Sequence, residues 1–555
     1  MIDFKHGHEI CMREEIDFDV IVIGAGPAGL SVACKLAQLA KSSNIDISIC
    51  VIDKGKSIGS HIISGAIMEV AALNELFPDW KEKGAPVHTL VSKEIFYFLP
   101  DECRHLSLPL CLTPKIMHNQ GNYIVSLGAF CQWLSQQAEQ LNVTVLPAVS
   151  AVDFIYHVDG SVAGVLTGDM GVGKNHDKKQ NYVPGIVLHA KQTILAEGSR
   201  GNLSGIVFER YNLCKNADAQ HYSIGFKELW NIRPDKYIPG LVMHGLGWPL
   251  MNKASGGFFL YHGERNQLSL GMSIDLNYSN PELNPYEEFQ MLKEHSLIKD
   301  FLIDAEIEGY GARTITKGGF NSLPEMSFPG GMIIGCDAGT LNPVKLKGIH
   351  TAMRSGIIAA EHIIKFFSEN TNSISKVFDL KANNSYLYDE LYESRNFAPI
   401  LHKYSFFFSC IFAYIDQVIF SGKTPVTLHD NHADHTYFDE GAIPVIYSNS
   451  NRESCLEKNA SLFFSNIVHN DDQPNHLKLP HQETINFSCR TNVATQLRAL
   501  CPAGVYEVAD DNRGKKLIVN SQNCLHCKSC DVKERYQKLI WCPPEAGSGP
   551  NYINM

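Results

Sequence analysis

The spacing of apolar positions predicts a strand–helix–strand unit near the start of the chain. The stretch "DFDVIVIGAGPAGLSVACKLAQLA" opens with an apolar strand over Val20–Ile23, and its apolar residues then follow a helical period to about Ala40. A second apolar run, "DISICVI", ends at Asp53. A helix between two short apolar strands is typical of a parallel sheet in an α/β domain.

Later apolar runs predict that this domain is discontinuous along the chain. "QTILAEGSRG" (192–201) is an apolar strand that stops at Glu197, and "FPGGMIIGCDAGTLNP" (328–343) is another that stops at Gly335. A helical pattern follows from about Gly348. Between these segments, residues 206–310 contain alternating stretches such as "GGFFLYH" and "QLSLGMSI", which predict a mostly antiparallel sheet.

Length and composition restrict the class of protein. A chain of 555 residues is expected to form two to four domains, and its net charge of −11 makes nucleic acid an improbable partner. Its 16 cysteines are scattered except near the C-terminus, which is typical of reduced thiols in a cytosol-like compartment. The N-terminal stretch is acidic and has no apolar h-region, so we expect neither a signal peptide nor a transit peptide. No uncharged apolar run reaches the roughly 18 residues of a spanning helix.

The turn after the first strand has the Gly-x-Gly-x-x-Gly pattern of dinucleotide sites. Gly24 permits the tight turn, Gly26 lets backbone N–H groups approach a pyrophosphate, and Gly29 allows close packing of helix on strand. Asp53 is placed to accept a hydrogen bond from a ribose hydroxyl. The motif alone does not separate NAD from FAD. The predicted residues are Gly24, Ala25, Gly26, Pro27, Ala28, Gly29 and Asp53.

The two later strands favour FAD, because their ends resemble FAD-contacting segments of glutathione-reductase-type flavoproteins. In that class the late aspartate, here Asp337, faces the ribityl and pyrophosphate region. We therefore add Glu197, Gly198 and Asp337 to the predicted FAD site. The helix beginning near Gly348 would direct the positive end of its dipole towards the negative charge of a reduced flavin.

A cysteine motif near the C-terminus predicts an iron–sulfur cluster. "NCLHCKSC" spaces Cys524, Cys527 and Cys530 by two residues each, which lets three thiolates surround one cluster. A fourth ligand is required, and both Cys501 and Cys542 precede a proline, as remote cluster ligands often do. Spacing and chemistry leave these two candidates open. Zinc is the less favoured interpretation of the motif.

With FAD motifs and a cluster motif in one chain, the sequence closely resembles the electron-transfer flavoprotein–ubiquinone oxidoreductase family. The resemblance extends from about Phe18 to Met555. It is carried by the strings "SHIISGA", "ELFPDWKEKGAPV", "HNQGNYIVSLG", "SIGFKELW", "SGGFFLYH", "GYGARTITKGGFNSLP", "NPVKLKGIHTAMRSG", "DDQPNHL" and "CPAGVYE". Gln120 and Ser126 depart from the family's usual residues, as does "GCDAGTLN" (335–342), and these changes could retune the flavin potential.

The resemblance implies a fold, cofactors and partners. It implies a glutathione-reductase-type FAD-binding Rossmann-like domain, an antiparallel quinone-side sheet and a C-terminal ferredoxin-like 4Fe–4S domain. The cofactors would be FAD and a 4Fe–4S cluster held by Cys501, Cys524, Cys527 and Cys530, with Cys542 outside the cluster. Reduced electron-transfer flavoprotein would be the donor and ubiquinone the acceptor. No side chain is nominated as a general acid or base.

The resemblance also implies where quinone and membrane are met. The quinone head group would lie by the backbone of Gly256 and Gly257, near Phe258 and Phe259 or their neighbours. The protein would be a monomer, monotopic on the cytoplasmic face of a bacterial inner membrane. Two apolar stretches, 58–80 and 401–423, would enter the membrane interface without spanning it.

We divide the chain on these grounds. Residues 1–205 and 311–367 form the FAD-binding domain, with a membrane-contacting insert at 58–80. Residues 206–310 form the ubiquinone-binding domain, 368–469 a helical, membrane-contacting region with connecting loops, and 470–555 the cluster domain.

Other interpretations remain open from sequence alone. A flavoprotein–ferredoxin electron carrier with another acceptor, a geranylgeranyl-reductase-like flavoenzyme or flavin monooxygenase, and a non-catalytic membrane scaffold would share parts of this pattern. The stretch "LHDNHADHTYFDEG" (428–441) contains His429, His432 and His435 beside two aspartates, but we interpret it as a solvated loop rather than a metal site.

Overall fold

Two large β-sheets organise the chain in the computed structural model. It describes residues 13–64, 67–369, 385–447, 455–479, 487, 492–511, 514–552 and 554–555. The α-helices are α1 (Pro27–Ser43), α2 (Ala71–Leu76), α3 (Leu127–Gln140), α4 (Asn202–Arg210), α5 (Pro285–Glu294), α6 (Ser296–Leu302), α7 (Ile349–Glu369), α8 (Tyr386–Glu393), α9 (Phe397–Lys403), α10 (Phe406–Tyr414), α11 (Lys458–Phe463), α12 (Val493–Leu500) and α13 (Ser529–Lys533). The strands are β1 (Glu15–Ile23), β2 (Ile49–Asp53), β3 (Ile67–Met68), β4 (Thr89–Leu90), β5 (Lys93–Leu99), β6 (Leu106–Leu108), β7 (Tyr123–Ile124), β8 (Thr144–Pro147), β9 (Ala151–Tyr156), β10 (Val162–Thr167), β11 (Met170–Val172), β12 (Lys178–Val183), β13 (Val187–Leu195), β14 (Tyr222–Asn231), β15 (Leu241–Gly247), β16 (Gly256–His262), β17 (Gln267–Asp275), β18 (Glu306–Thr316), β19 (Ser327–Phe328), β20 (Gly331–Ile333), β21 (Leu477–Lys478), β22 (Tyr506–Asp511), β23 (Gly514–Val519) and β24 (Ile540–Trp541).

The first sheet contains the predicted strand–helix–strand unit. Its strand order is β19-β20-β13-β1-β2-β8, and β10 and β9 extend it from β13. The pairs β1–β13, β1–β2, β2–β8 and β13–β20 are parallel. The predicted nucleotide-binding unit is confirmed, because β1, α1 and β2 follow one another and the two later predicted strands are β13 and β20. Parallel neighbours bring the ends of all these strands to one edge, where ligands bind in such sheets.

The second sheet is mostly antiparallel, as predicted, but it recruits strands from outside residues 206–310. Its order is β18-β14-β17-β16-β15-β5-β6, and β15–β5 is its parallel pair. We assigned β5 and β6 to the FAD-binding domain, and β18 crosses the predicted boundary after residue 310. Local periodicity does not show which strands pair when they lie more than 100 residues apart in the chain. The sequence therefore did not predict that these strands join the second sheet.

Helices α1 and α7 pack closely against each other. A Cβ atom at Gly356 would lie 2.5 Å from the carbonyl oxygen of Ala28, and one at Gly29 would lie 2.0 Å from that of Gly24. Glycine is therefore required at both positions for the helices and the turn to approach one another.

The stretch 58–80 is largely buried, contrary to the membrane-contacting insert that we expected. Phe77 and Trp80 are 5% and 4% exposed, and they contact Trp133 and Tyr123 respectively. Helix α2 packs against α7 and α1. The apolar side of α2 therefore faces the protein core. Periodicity alone cannot distinguish such a helix from one whose apolar side faces lipid.

The stretch 401–423 is different, because its apolar residues are exposed. Helix α10 is followed by a π-helical turn, Ile415–Ile419. Asp416, which interrupts the apolar run, is 3% exposed and accepts hydrogen bonds from Asn396 and Gln417 at 3.1 and 2.7 Å. The aromatic side chains before it face outwards. Among the helices formed by the described residues, none combines the length and apolar character needed to cross a membrane.

Candidate functional site

The turn between β1 and α1 forms a cradle with open space in front of the helix N-terminus. Gly26 is the N-cap of α1 and makes no side-chain cap, and a Cβ atom there would meet nothing within 4 Å. Gly24 has φ +105°, and a Cβ atom on it would lie 2.3 Å from the carbonyl oxygen of Ala196. The space before Gly26 therefore suits a phosphate group bound at the helix N-terminus.

Three carboxylates reach the same edge of the first sheet. Asp53 accepts hydrogen bonds from the backbone of Ala25 and Gly55 at 2.9 and 2.8 Å. Glu197 and Asp337 converge on the hydroxyl of Ser204, at 3.0 and 2.6 Å. Burial, followed by repulsion from Glu197, raises the pKa of Asp337. The structure thus brings together the acidic residues predicted for the FAD site.

Buried cations lie beside these carboxylates, and sequence reasoning did not select them. Lys54 follows Asp53 directly, and its ammonium lies 4.5 Å from the ring centre of Trp541. Burial, then repulsion from Lys528 and Arg313, lowers the pKa of Lys54 well below its usual value. A doubly negative pyrophosphate in the adjacent space would relieve that repulsion, so the residues present fit FAD.

The four predicted cluster ligands are brought into one buried pocket. Cys501 ends α12, Cys524 precedes a loop, and Cys530 lies in α13. Cys501, Cys524, Cys527 and Cys530 are 6–7% exposed and belong to one core. Cys542, in contrast, is half-buried, and its backbone N–H donates a hydrogen bond to the backbone carbonyl of His476. Of the two candidates for the fourth ligand, Cys501 is the one that shares this core.

The spacing of the four thiols does not suit a single metal ion. Zinc would bring four sulfurs at about 2.3 Å to within about 3.8 Å of one another. Among the described residues, the groups of three ligand atoms within 4.8 Å include none of these cysteines. Burial raises the pKa of all four thiols, so their deprotonation requires a bound positive charge. A wider, multi-iron group fits this arrangement.

Aromatic donors surround the cysteine sulfurs. The hydroxyl of Tyr506 and the indole N–H of Trp541 are buried and make no hydrogen bond with any described residue. Tyr506 lies beside Cys530, and Trp541 lies beside Cys524. Donors that face thiolate sulfur are typical of iron–sulfur sites.

A group of histidines separates the two sites. The buried ring of His526 lies 5.3 Å from that of His61 and 5.4 Å from that of Trp541. Burial, then repulsion from Lys54, lowers the pKa of His526 well below its usual range. The histidine in "NCLHCKSC" was the one available sequence signal for this contact, and it was passed over.

A cavity of about 1290 Å³ runs from the cradle to the second sheet. Gly24, Gly26 and Glu197 line it at one end, as does the start of α7, and Gly256 and Gly257 line its wall on β16. Residues of α10, including Phe406 and Cys410, line it where the protein surface is apolar and exposed. One space therefore joins the predicted flavin site, the predicted quinone glycines and an exposed apolar patch.

The quinone glycines are also required by the sheet. A Cβ atom at Gly257 would lie 2.7 Å from the carbonyl oxygen of Gly245, and one at Gly256 would lie 2.2 Å from that of Ser273. A substitution at either position would therefore move strands as well as narrow the cavity. A test of quinone binding needs a different position.

The histidine-rich stretch is only partly the solvated loop that we expected. His429 is exposed and pairs with Asp218 at 3.0 Å, and His432 is also exposed. Asp430 and Asp434, however, are 3% and 2% exposed. They turn inwards because imidazoles from distant elements, His221 and His402, supply hydrogen bonds there. His435 lies in the 3₁₀ turn Asp434–Thr436.

Family models match three parts of the chain. Residues 222–315 match "ETF-QO, ubiquinone-binding", and residues 453–553 match "Electron transfer flavoprotein-ubiquinone oxidoreductase, 4Fe-4S". Residues 22–75 match an NAD(P)-binding Rossmann-like domain.

Curated relatives match over nearly the whole chain. Electron transfer flavoprotein–ubiquinone oxidoreductase of Pseudomonas aeruginosa is 47% identical over 98% of this chain and 100% of its own length. The probable enzyme of that name from Acinetobacter baylyi is 44% identical, covering 98% and 99%. The mitochondrial protein of Sus scrofa is 40% identical, covering 97% and 89%.

One solved structure shares the fold of about three quarters of this chain. A geranylgeranyl bacteriochlorophyll reductase-like protein from Thermoplasma acidophilum aligns with a TM-score of 0.55 and 20% identity over 72% of this chain and 92% of its own. At that identity the likeness concerns the fold alone.

Replacing Gly26 with valine should yield folded protein without flavin. The added side chain meets no protein atom near its Cβ but enters the space for the pyrophosphate. We expect flavin content to fall by at least about tenfold, which corresponds to about 1.4 kcal/mol of lost binding. Visible absorbance of the purified protein measures it. Gly205→Val is the control, because Gly205 also has open space but does not line the cavity. A normal flavin spectrum in Gly26→Val would contradict the assignment.

Cys501→Ala and Cys542→Ala should separate the two candidates for the fourth cluster ligand. The first removes a thiol from the buried pocket and should abolish the EPR signal of the reduced cluster. The second removes a thiol outside it and should leave the signal unchanged. Iron content per protein provides an independent readout. Equal loss in both variants would show that the assignment is wrong.

Proposed function

The chain belongs to the electron transfer flavoprotein–ubiquinone oxidoreductase family, and on that premise we propose how its sites divide the reaction. The protein is an oxidoreductase that contains FAD and a 4Fe–4S cluster. It accepts electrons from reduced electron transfer flavoprotein and reduces ubiquinone to ubiquinol. The observation that carries the proposal below is the single cavity that joins the cradle, the glycines of β16 and the apolar surface at α10.

The two cofactors have different roles in the reaction. When bound, the cluster supplies one-electron transfer and FAD supplies storage of one or two electrons. We assign the cluster to Cys501, Cys524, Cys527 and Cys530. We assign FAD to the segment Gly24–Gly29, with Asp53, Glu197, Gly198 and Asp337. The chain of ring contacts through Trp541 and His526 keeps the two sites at a short, fixed separation.

Ubiquinone is proposed to enter the cavity from α10 and to reach the wall formed by Gly256 and Gly257. The missing side chains leave main chain exposed to the ring, while Phe258 and Phe259 supply apolar contact. Ile62 and Ile63, from the stretch that we first assigned to the membrane, line the same cavity. That stretch therefore contributes to the quinone path rather than to the membrane surface.

The membrane surface is proposed to be an apolar patch. It consists of Phe406, Phe407, Phe408, Ile411, Phe412, Ile419 and Phe420. Phe407 is 68% exposed and Ile419 61%. Leu110 and Leu112 are also exposed, and Leu112 lines the same cavity as Phe406. A continuous exposed patch of this kind marks a membrane or protein contact. A lipid-borne substrate favours the membrane.

The apolar patch and the free cysteines together indicate where the protein is located in the cell. We propose peripheral attachment at the cytoplasmic face of a bacterial inner membrane. The described cysteines are all free, which agrees with a reducing compartment. The monomeric state remains a prediction.

Cys410→Trp should block ubiquinone while leaving the donor reaction intact. Cys410 lines the outer end of the cavity, whereas Phe408 on the same helix does not. With reduced electron transfer flavoprotein as donor, wild-type protein should form ubiquinol. Cys410→Trp should raise the KM for a ubiquinone analogue about tenfold, a cost of about 1.4 kcal/mol. Flavin reduction by the donor should not change. Phe408→Trp is the matched control, and an unchanged KM in Cys410→Trp would contradict the entry path.

Phe407→Glu combined with Phe412→Glu should release the protein from membranes. Two phenyl groups leave the lipid contact, at a combined cost of about 3 kcal/mol, or about two orders of magnitude in partitioning. Co-sedimentation with liposomes measures the loss, and the flavin and cluster spectra should persist. Val158→Glu with Val183→Glu, exposed residues elsewhere, should bind like wild type. Continued sedimentation of the α10 variant would exclude this patch as the anchor.

A further inference from the structure

A buried polar cluster lies behind the wall of the cavity. It consists of His221, His402, Asp430 and Asp434. His402 Nδ1 lies 2.9 Å from Asp430 Oδ2, and His221 Nε2 lies 3.3 Å from the same oxygen. His221 Nδ1 lies 2.9 Å from Asp434 Oδ1. Each side chain in the cluster is at most 5% exposed. Burying this many ionisable groups costs free energy unless the groups pair with one another.

His221 acts as the fixed cation of the cluster. Burial would lower its pKa, but the hydrogen bonds to Asp430 and Asp434 dominate and raise the pKa of His221 to about 9. Burial would likewise raise the pKa of Asp430, but its bonds from His221 and His402 hold that pKa well below its usual range. Both ring nitrogens of His221 face carboxylates. His221 does not line the cavity, so it does not contact a molecule bound there.

His402 differs from His221 because it is among the residues that line the cavity. It lies near the end of α9 and lines the same space as Gly256 and Gly257. Asp275, whose backbone N–H bonds to Ser255 beside these glycines, interacts electrostatically with His402. Asp430 occupies Nδ1 of the His402 ring. Nε2 is the nitrogen that remains for a molecule in the cavity.

Charged and titratable groups surround His402 on several sides. The titratable groups that face the cluster from the surrounding elements are His221, Asp218, Asp275, Lys317, His432, Asp434, Tyr437 and Lys533. Lys317 pairs with Asp275 at 2.6 Å. Asp430 and Asp434 then face two imidazoles.

We propose that His402 is a proton donor to ubiquinone and that Asp430 is its positioning residue. The inference rests on the proposed function, in which ubiquinone takes two electrons and two protons. As the electrons arrive from the donor protein through the two redox sites, Nε2–H of His402 transfers its proton to one quinone oxygen. The second oxygen takes a proton from water, and water then restores the proton on His402. The sum is ubiquinone, two electrons and two protons giving ubiquinol.

The role of Asp430 is to orient His402 and stabilise its charged form. An aspartate bonded to Nδ1 fixes the ring so that Nε2 faces the reacting oxygen, and it stabilises the imidazolium. The three ligand atoms of His221, His402 and Asp430 also lie close enough to hold a metal ion. His402 Nδ1 makes a hydrogen bond with Asp430 Oδ2, and His221 Nδ1 makes one with Asp434 Oδ1, so one nitrogen of each ring is already engaged. The observations therefore favour the proton donor.

The test compares two electron acceptors with the same holoenzyme and the same donor protein. Ubiquinone analogue requires protons, whereas ferricenium ion accepts one electron and no proton. His402→Gln should lower kcat for the analogue by about 100-fold, the usual size of a general-acid contribution, with KM within about twofold. Asp430→Asn should lower it by about tenfold. Ferricenium reduction should not change in either variant. His429→Gln, an exposed histidine of the same loop, should match wild type in both assays.

Chemical rescue distinguishes a proton donor from a structural residue. Imidazole added to His402→Ala should restore ubiquinone reduction and should not alter wild type. Equal loss with both acceptors, unchanged kcat in His402→Gln, or no rescue would overturn the proposal. So would stoichiometric metal in purified wild type that disappears in Asp430→Asn. Wild-type protein that fails to reduce the analogue with reduced donor would instead overturn the proposed function itself.

Discussion

The rest of the molecule depends on the contact between β18, the edge strand of the second sheet, and the C-terminal part of the chain. Strand β18 pairs with β14 on one side, and its other side would present unpaired N–H and C=O groups. The C-terminal part of the chain satisfies them. Tyr310 and Thr314 donate backbone N–H groups to the carbonyls of Phe464 and Cys527, at 3.2 and 3.1 Å. A cluster ligand segment is thus hydrogen-bonded to the sheet whose neighbouring strands form the cavity wall.

This edge contact makes one core out of two predicted domains. The four cysteines are buried among residues of the second sheet, including Phe226 and Tyr310, rather than in a separate ferredoxin-like core. An ion pair between Arg200 and Asp531, at 2.7 Å, joins the same segment to the end of the first sheet. Electron transfer needs a fixed separation of its centres, and docking through main-chain hydrogen bonds holds that separation more firmly than a flexible linker would.

The proposed quinone path is apolar at the protein surface and polar deeper in the protein. At the surface, α10 exposes aromatic side chains, and Asp416 is turned inwards so that no charge interrupts them. Deeper, the wall behind the cavity contains buried carboxylates and imidazoles, each held by a partner. A quinone is apolar when it enters and needs protons when it reacts. The change from an exposed apolar mouth to a buried ionic wall corresponds to those two demands.

The sequence by itself determined what depends on residues close together in the chain. Periodicity and turn chemistry identified β1, α1 and β2, because each is set by neighbouring residues, and Gly24, Gly26 and Gly29 marked the cradle. Two-residue spacing identified Cys524, Cys527 and Cys530. Alternating apolar stretches predicted the antiparallel second sheet, and family strings identified the reaction.

Only the tertiary structure decided the pairings between distant residues. Spacing could not choose between Cys501 and Cys542, and the family resemblance favoured Cys501; only the structure showed that Cys501 shares a core with the other three. An apolar period could not show that Phe77 is buried while Phe407 is exposed, because both faces have the same pattern. Nor could the loop at 428–441 reveal that Asp430 meets His221 and His402, which come from a strand and a helix elsewhere in the chain. Such contacts are set by the packing of whole elements, and packing leaves no periodic signal in the sequence.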